Sequence, residues 1–207
     1  MVFDAYKAAG DSVMAGVIEK AKVGADIQMT QYPGQDRRIV HGLEAGMVIS
    51  RVESLPMEQR CLVRFCFGPF TARELDGDRE TIEGALFVRL AGSDLRIPGQ
   101  AAGEKPTKRQ LEQLSVLCDA ALYHHAQVTW PYKRKGLSTP QAVRDWAEQV
   151  KGVTLEGRWT YGNRPAWRWL WERCLSLLDY WESSGLAPLG ELLAETHSTR
   201  RNEKTPA

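Results

Sequence analysis

Residues 130–181 read WPYKRKGLSTPQAVRDWAEQVKGVTLEGRWTYGNRPAWRWLWERCLSLLDYW, and all seven tryptophans of the 207-residue chain lie in this stretch. Two helices are written into it. Ser138-Thr139-Pro140 offers a hydroxyl cap followed by a proline, the residue pair that favours a helix start, and Gly152 is placed to end that helix. Its inward face is expected to be Val143, Trp146 or Ala147, and Val150. Asn163 and Pro165 repeat the start signal, which predicts a last helix running to about Ser183 and terminated at Gly185. Trp167, Leu170 or Trp171, Cys174, Leu178 and Trp181 recur at helical spacing, with Leu175 and Leu177 widening the stripe, so these residues are predicted core. The fold class that follows is mainly α: a compact multi-helix protein with a helix-turn-helix-like C-terminal module. Residues 157–163, GRWTYGN, lie where a recognition helix would follow directly on the Gly152 turn, so they are an insertion or a short basic β-wing.

Charge is segregated along the chain. Between Trp130 and Arg173 there are nine basic residues (Lys133, Arg134, Lys135, Arg144, Lys151, Arg158, Arg164, Arg168, Arg173) against four acids (Asp145, Glu148, Glu156, Glu172). That segment carries net +5, whereas the whole chain carries +1. Basic side chains interleaved with aromatics suit a phosphate backbone or an unstacked base. The start of the last helix is the expected contact point, because unpaired backbone N–H groups there attract phosphate. Asn163, Arg164 and Arg168 are placed at or near it, and arginine and asparagine also carry the paired groups that read guanine and adenine edges. Trp169 and Arg173, four residues apart, fall off the apolar stripe. Lys133, Arg134, Lys135 and Arg158 would hold the flanking backbone. The candidate DNA-binding set is therefore Lys133, Arg134, Lys135, Arg158, Asn163, Arg164, Arg168, Trp169 and Arg173.

Working toward the N-terminus, Thr107 is placed to cap a helix from Lys108 to Val128 with Leu111, Leu114, Leu117 or Cys118, Ala121 and Leu122 inward. Residues 92–106 hold Gly92, Pro98, Gly99, Gly103 and Pro106, and read as a linker. The expected division is an N-terminal helical region at 1–98, the basic tryptophan-rich module at 99–190, and a flexible polar tail at 191–207. Further helices are predicted at about 3–23, 36–54 and 76–92, with a Pro-Gly loop at 28–35. The acids Glu74, Asp76, Asp78, Glu80 and Glu83 read as a solvated cluster.

Residues 54–70, SLPMEQRCLVRFCFGPF, give one more amphipathic helix. Ser54 is a candidate cap, Pro56 suits the first turn, and Gly68-Pro69 stops the helix. The order Leu55-Pro56, Arg60, Leu62 and Phe67-Gly68 resembles the opening helix of the DNA-binding region four of bacterial sigma factors. Phage late-gene antiterminators of the Q type resemble that region in the same way. The resemblance covers about fifteen residues, with a fainter echo at 79–90. It implies a transcription regulator whose partners are duplex DNA and bacterial RNA polymerase. The helix at 54–70 would then face polymerase or pack the scaffold, while 130–173 approaches DNA.

Other classes find little support. There is no glycine-rich phosphate loop, no GxSxG elbow and no HExxH, so no catalytic residues are assigned and no enzyme is expected. Cys61, Cys66, Cys118 and Cys174 form no CxxC pair, and His124 and His125 are adjacent rather than four apart, so neither a metal site nor a cofactor is expected. No apolar run is long enough to span a bilayer and no leader is evident, which points to a cytoplasmic protein in a bacterial or phage-infected cell. The competing reading is a helical adaptor or inhibitor that meets a protein partner through tryptophan and arginine hot spots, without nucleic acid.

Overall fold

The computed structural model describes residues 1–10, 35–129, 134–160 and 165–203. The protein is mainly helical, as expected. Among the described residues the elements are α1 (Val2–Gly10), α2 (Gln35–Glu53), α3 (Met57–Phe67), α4 (Asp76–Ala91), α5 (Lys108–Val128), α6 (Pro140–Lys151) and α7 (Trp167–Glu203), with no strand. The predicted first helix appears only through Gly10, and its continuation to residue 23 and the 28–35 loop through residue 34 lie outside the described residues.

Two compact units divide the chain. The first holds Met1–Ala72 and Ser184–Ala207, and the second holds Arg73–Ser183. This division differs from the expected one at 98/99, and the reason is visible in the 92–106 segment. Ile97 and Pro98 are buried there, the Ile97 amide donates to Gln100 Oε1 at 3.0 Å, and Gln100 Nε2 donates to the Glu104 carbonyl at 2.8 Å. The breakers thus fold a packed loop between α4 and α5, which are themselves in contact, rather than an extended linker.

In the first unit, Val2 and Ala5 of α1 pack with Ala45, Val48 and Val52 of α2, Val63 of α3, and Leu189 and Leu192 of α7. The helix that carries the sigma-like pattern is α3. It buries Cys61, Leu62, Val63 and Cys66, while Arg60 and Arg64 reach Glu53 at 3.8 and 3.5 Å. Ser54 does not cap it. Its hydroxyl donates instead to the Arg51 carbonyl at 2.8 Å, closing the end of α2, and Pro56 occupies the cap position without a side-chain bond. Gly68 ends the helix as expected, with its amide bonded to the Arg64 carbonyl.

Gly185 does not terminate the last helix, which continues through Pro188 to Glu203, so residues 191–203 are helical rather than a flexible tail and Leu192 packs in the core. Gly185 lies against α3 instead. A β-carbon on Gly185 would come 2.9 Å from Val63 Cγ2, on a side chain that is fully buried and short of alternatives. The glycine serves close helix approach. Gly185→Val should therefore destabilise the first unit by about 2 kcal/mol through overpacking. A urea melt checks this, and an unchanged midpoint would contradict the close contact.

The second unit is held by α4, α5, α6 and the first half of α7. Ile82, Leu86 and Leu90 of α4 are buried, and so, as predicted, are Leu114, Leu117, Ala121 and Leu122 of α5, while Leu111 is only half-buried. Thr107 and Gln110 form a reciprocal capping box at the start of α5. Thr139 caps α6 by accepting from the Ala142 amide at 3.1 Å, and Gly152 closes α6 in the left-handed conformation with φ of 67°. The inward face of α6 is narrower than expected: Val143 and Ala147 are buried, but Val150 is exposed. In α7 the predicted stripe is buried at Trp167, Leu170, Trp171, Cys174, Leu178 and Trp181, as is Leu177, while Leu175 is only half-buried.

The acids of α4 are not all solvated. Glu83 is half-buried between helices. Arg79 Nε lies 3.8 Å from its carboxylate, Asp119 of α5 hydrogen-bonds with it, and Lys151 of α6 pairs with Asp119 at 2.5 Å. Burial first, and then the Asp119 carboxylate, push the Glu83 carboxyl from 4.5 up to about 7, against the pull of Arg79 and Lys151. A carboxyl raised on folding binds more protons folded than unfolded between those two values, so stability falls as pH rises through that window. Glu83→Gln should flatten the dependence and stabilise the protein at pH 8 by on the order of 2 kcal/mol. Denaturation at pH 5 and pH 8 measures it, and equal slopes for the two proteins would contradict the assignment.

Candidate nucleic-acid interface

Three segments of the second unit converge at the start of α7. The α6–α7 connection brings Arg158 and Trp159 against the helix, because the Trp167 amide donates to the Arg158 carbonyl at 3.2 Å and the Arg168 amide donates to the Trp159 carbonyl at 2.9 Å. Trp167 is fully buried beneath them, and its indole Nε1 donates to the Glu156 carbonyl at 2.6 Å. From α6, Arg144 donates to the Gly157 carbonyl at 2.9 Å. From α5, buried Gln113 donates to the Thr154 carbonyl at 2.7 Å. A connection without secondary structure is thus pinned along its length by side chains from three helices.

The 134–139 segment comes from the other side. The Arg134 amide donates to the Gln127 carbonyl at 2.7 Å, which folds the segment onto the end of α5. Leu137, Ser138 and Thr139 then face Trp159, Arg168 and Trp171 across a groove of about 250 Å³. The tryptophans pack on each other at 6.0 Å with planes 56° apart, and His124 meets Trp171 edge-on at 5.4 Å. Burial, with repulsion from neighbouring His125, holds the His124 imidazole below its usual pKa, so it adds no positive charge here at neutral pH.

The structure redistributes the predicted contact residues. Lys133, Asn163 and Arg164 lie outside the described residues. The helix begins at Trp167, not at Pro165, so Arg168 stands in its first turn. The expectation of open N–H groups there is corrected for the first two: the Trp167 and Arg168 amides are already bonded to the preceding loop. A polyanion here would rely mainly on side chains. Arg134, Lys135, Arg158, Arg168 and Arg173 are all exposed. Arg168 donates to Glu172 at 2.7 Å, but both partners are about half exposed, and such pairs contribute little and exchange readily. The wing finds no strand in residues 157–160, and its remainder is outside the described residues. The segment between Gly152 and Trp167 also separates α6 from α7 by more than the short turn of a standard helix-turn-helix.

Trp169 and Arg173 are exposed on α7 as read from their spacing. Sequence reasoning missed that Tyr180 continues the same face. Trp169 is 54% and Tyr180 61% exposed, with Arg173 and Ser176 between them at helical spacing. The signal was present in the i, i+4, i+7, i+11 pattern, masked by the heavier apolar stripe on the opposite side. Arg158 also borders a second hollow of about 350 Å³, with Pro98, Gln100 and Pro165. Comparison with protein-family models, with curated proteins and with solved structures finds no match for this chain.

Proposed function

We propose that the protein is a DNA-binding transcription regulator of the phage late-antiterminator type, acting with RNA polymerase. The observation that carries this reading is the net +5 segment between Trp130 and Arg173, in which Arg134, Lys135, Arg158, Arg168 and Arg173 are exposed. Phosphate contacts supply most of the affinity of such proteins, and they need exposed cations on a fixed frame. The pinned 153–160 connection and the capped α6 provide the frame. The sigma-like pattern of α3 supports the polymerase partner by resemblance only. Since α3 buries its apolar face and engages Glu53 through Arg60 and Arg64, its part in this reading is scaffold.

Fluorescence anisotropy with a labelled 40-base-pair duplex tests the proposal. Arg158→Ala and Arg168→Ala should each weaken binding about three- to tenfold at moderate salt, with unchanged melting, as expected for loss of single phosphate contacts. Unaltered affinity in both variants would count against the site.

A second reading rests on a different observation. The exposed Trp169, Arg173 and Tyr180 are residue types that dominate protein–protein hot spots, and Glu172 and Asp179 beside them temper the positive charge. A helical adaptor would bind through this face with little salt dependence. Trp169→Ala should then abolish capture of its partner at low and at moderate salt alike.

A further inference from the structure

We propose that the groove lined by Trp159, Trp171, Arg168 and Glu172 is a pocket for one unstacked nucleobase of single-stranded DNA. This rests on the DNA-binding reading and goes beyond it, because duplex binding through phosphates needs no cavity. The groove's volume, about 250 Å³, accommodates a single base and no large ligand. Trp159 is only partly buried and lines the groove together with Trp171, 6.0 Å away, so the groove offers aromatic surface from two rings. Base-on-aromatic stacking tolerates any sequence, since every base has a π-face.

The polar lining adds a complementary edge. Arg168 donates through Nε to Glu172 Oε1, which leaves the outer nitrogens of the guanidinium as donors and the second carboxylate oxygen as an acceptor. Every nucleobase offers both a ring or carbonyl acceptor and an N–H donor along one edge, so this pair meets it without being broken. The approach is cationic: Lys135 and Arg158 are exposed on the two segments that form the groove walls, where they would hold the flanking phosphates. The backbone bonds of the Trp167 and Arg168 amides to the Arg158 and Trp159 carbonyls hold one wall of the groove in place in the unbound protein.

The test compares three fluorescent DNAs with the full chain: a 20-nucleotide single strand, the same strand with several abasic sites, and its duplex. Expected is single-strand binding that drops about tenfold or more when bases are removed. Trp159→Ala should reproduce that drop on the intact strand and leave duplex affinity within twofold, and Trp159→Phe should restore most of it. Equal binding of intact and abasic strands by the wild-type chain overturns the pocket whether or not the variants fold, and this includes the case of a groove that takes an aromatic peptide instead. If the duplex binds and the abasic strand equals the intact one, only the pocket fails. If no DNA binds at all, the DNA-binding reading fails with it.

Discussion

Trp167→Ala is expected to destabilise the protein by about 4 kcal/mol, the largest effect of any single substitution argued from this structure. The indole is completely buried, so its removal leaves a large cavity in a core that includes Leu170, Cys174 and Leu178. The substitution also strips the Glu156 carbonyl of its donor at 2.6 Å, and an unsatisfied carbonyl adds about 1 kcal/mol or more to the loss. A domain holds only about 5–15 kcal/mol in all, so the second unit would be close to unfolding at ordinary temperature. Trp167→Phe retains most of the apolar volume but not the hydrogen bond, and should cost roughly half as much. Urea denaturation separates the two. A Trp167→Ala midpoint near that of the parent would mean that the indole is not the floor beneath the 153–160 connection. The same variant should also lower DNA affinity, because Arg158 and Trp159 are placed by their backbone bonds to residues 167 and 168.

The second large effect concerns charge. Simultaneous Lys135→Glu, Arg158→Glu and Arg173→Glu should reduce duplex affinity by about a hundredfold or more at 100 mM salt. Each site loses a cation next to phosphate and gains a repelling carboxylate, and the three lie on different segments, so the effects should nearly add. Stability should change little, since these side chains are exposed. The triple variant, checked for an unaltered urea midpoint and assayed by anisotropy, gives the comparison. Retained affinity with an intact fold would remove the 130–173 surface as the point of contact.

Much of the fold was legible because its signals are local. Thr107, and Thr139 with Pro140, announce helix starts, and both hydroxyls cap as expected, Thr107 with a reciprocal bond from Gln110 besides. The 3.6-residue spacing of Trp167, Leu170, Cys174, Leu178 and Trp181 likewise placed the buried side of α7. What was not legible depends on distant partners. Gly185 reads as a stop until Val63 is seen against it. The glycines and prolines of 92–106 read as a linker until Ile97 and Pro98 are found buried. Glu83 reads as solvated because Asp119 and Lys151, which surround it, are remote in sequence. At the candidate site, the exposure of Trp169 and Arg173 followed from helical phase. The bonding of the first α7 amides to Arg158 and Trp159 did not, because it is made by a segment with no periodicity to read.

The most direct measurement is the affinity for a random-sequence duplex as salt is raised from 50 to about 300 mM. Exposed Arg134, Lys135, Arg158, Arg168 and Arg173, each meeting a phosphate, give a log–log slope of about −4 to −5. A slope near zero, or no binding at the lowest salt, would contradict a nucleic-acid role for this surface and leave the exposed Trp169–Tyr180 face as the working part of the molecule.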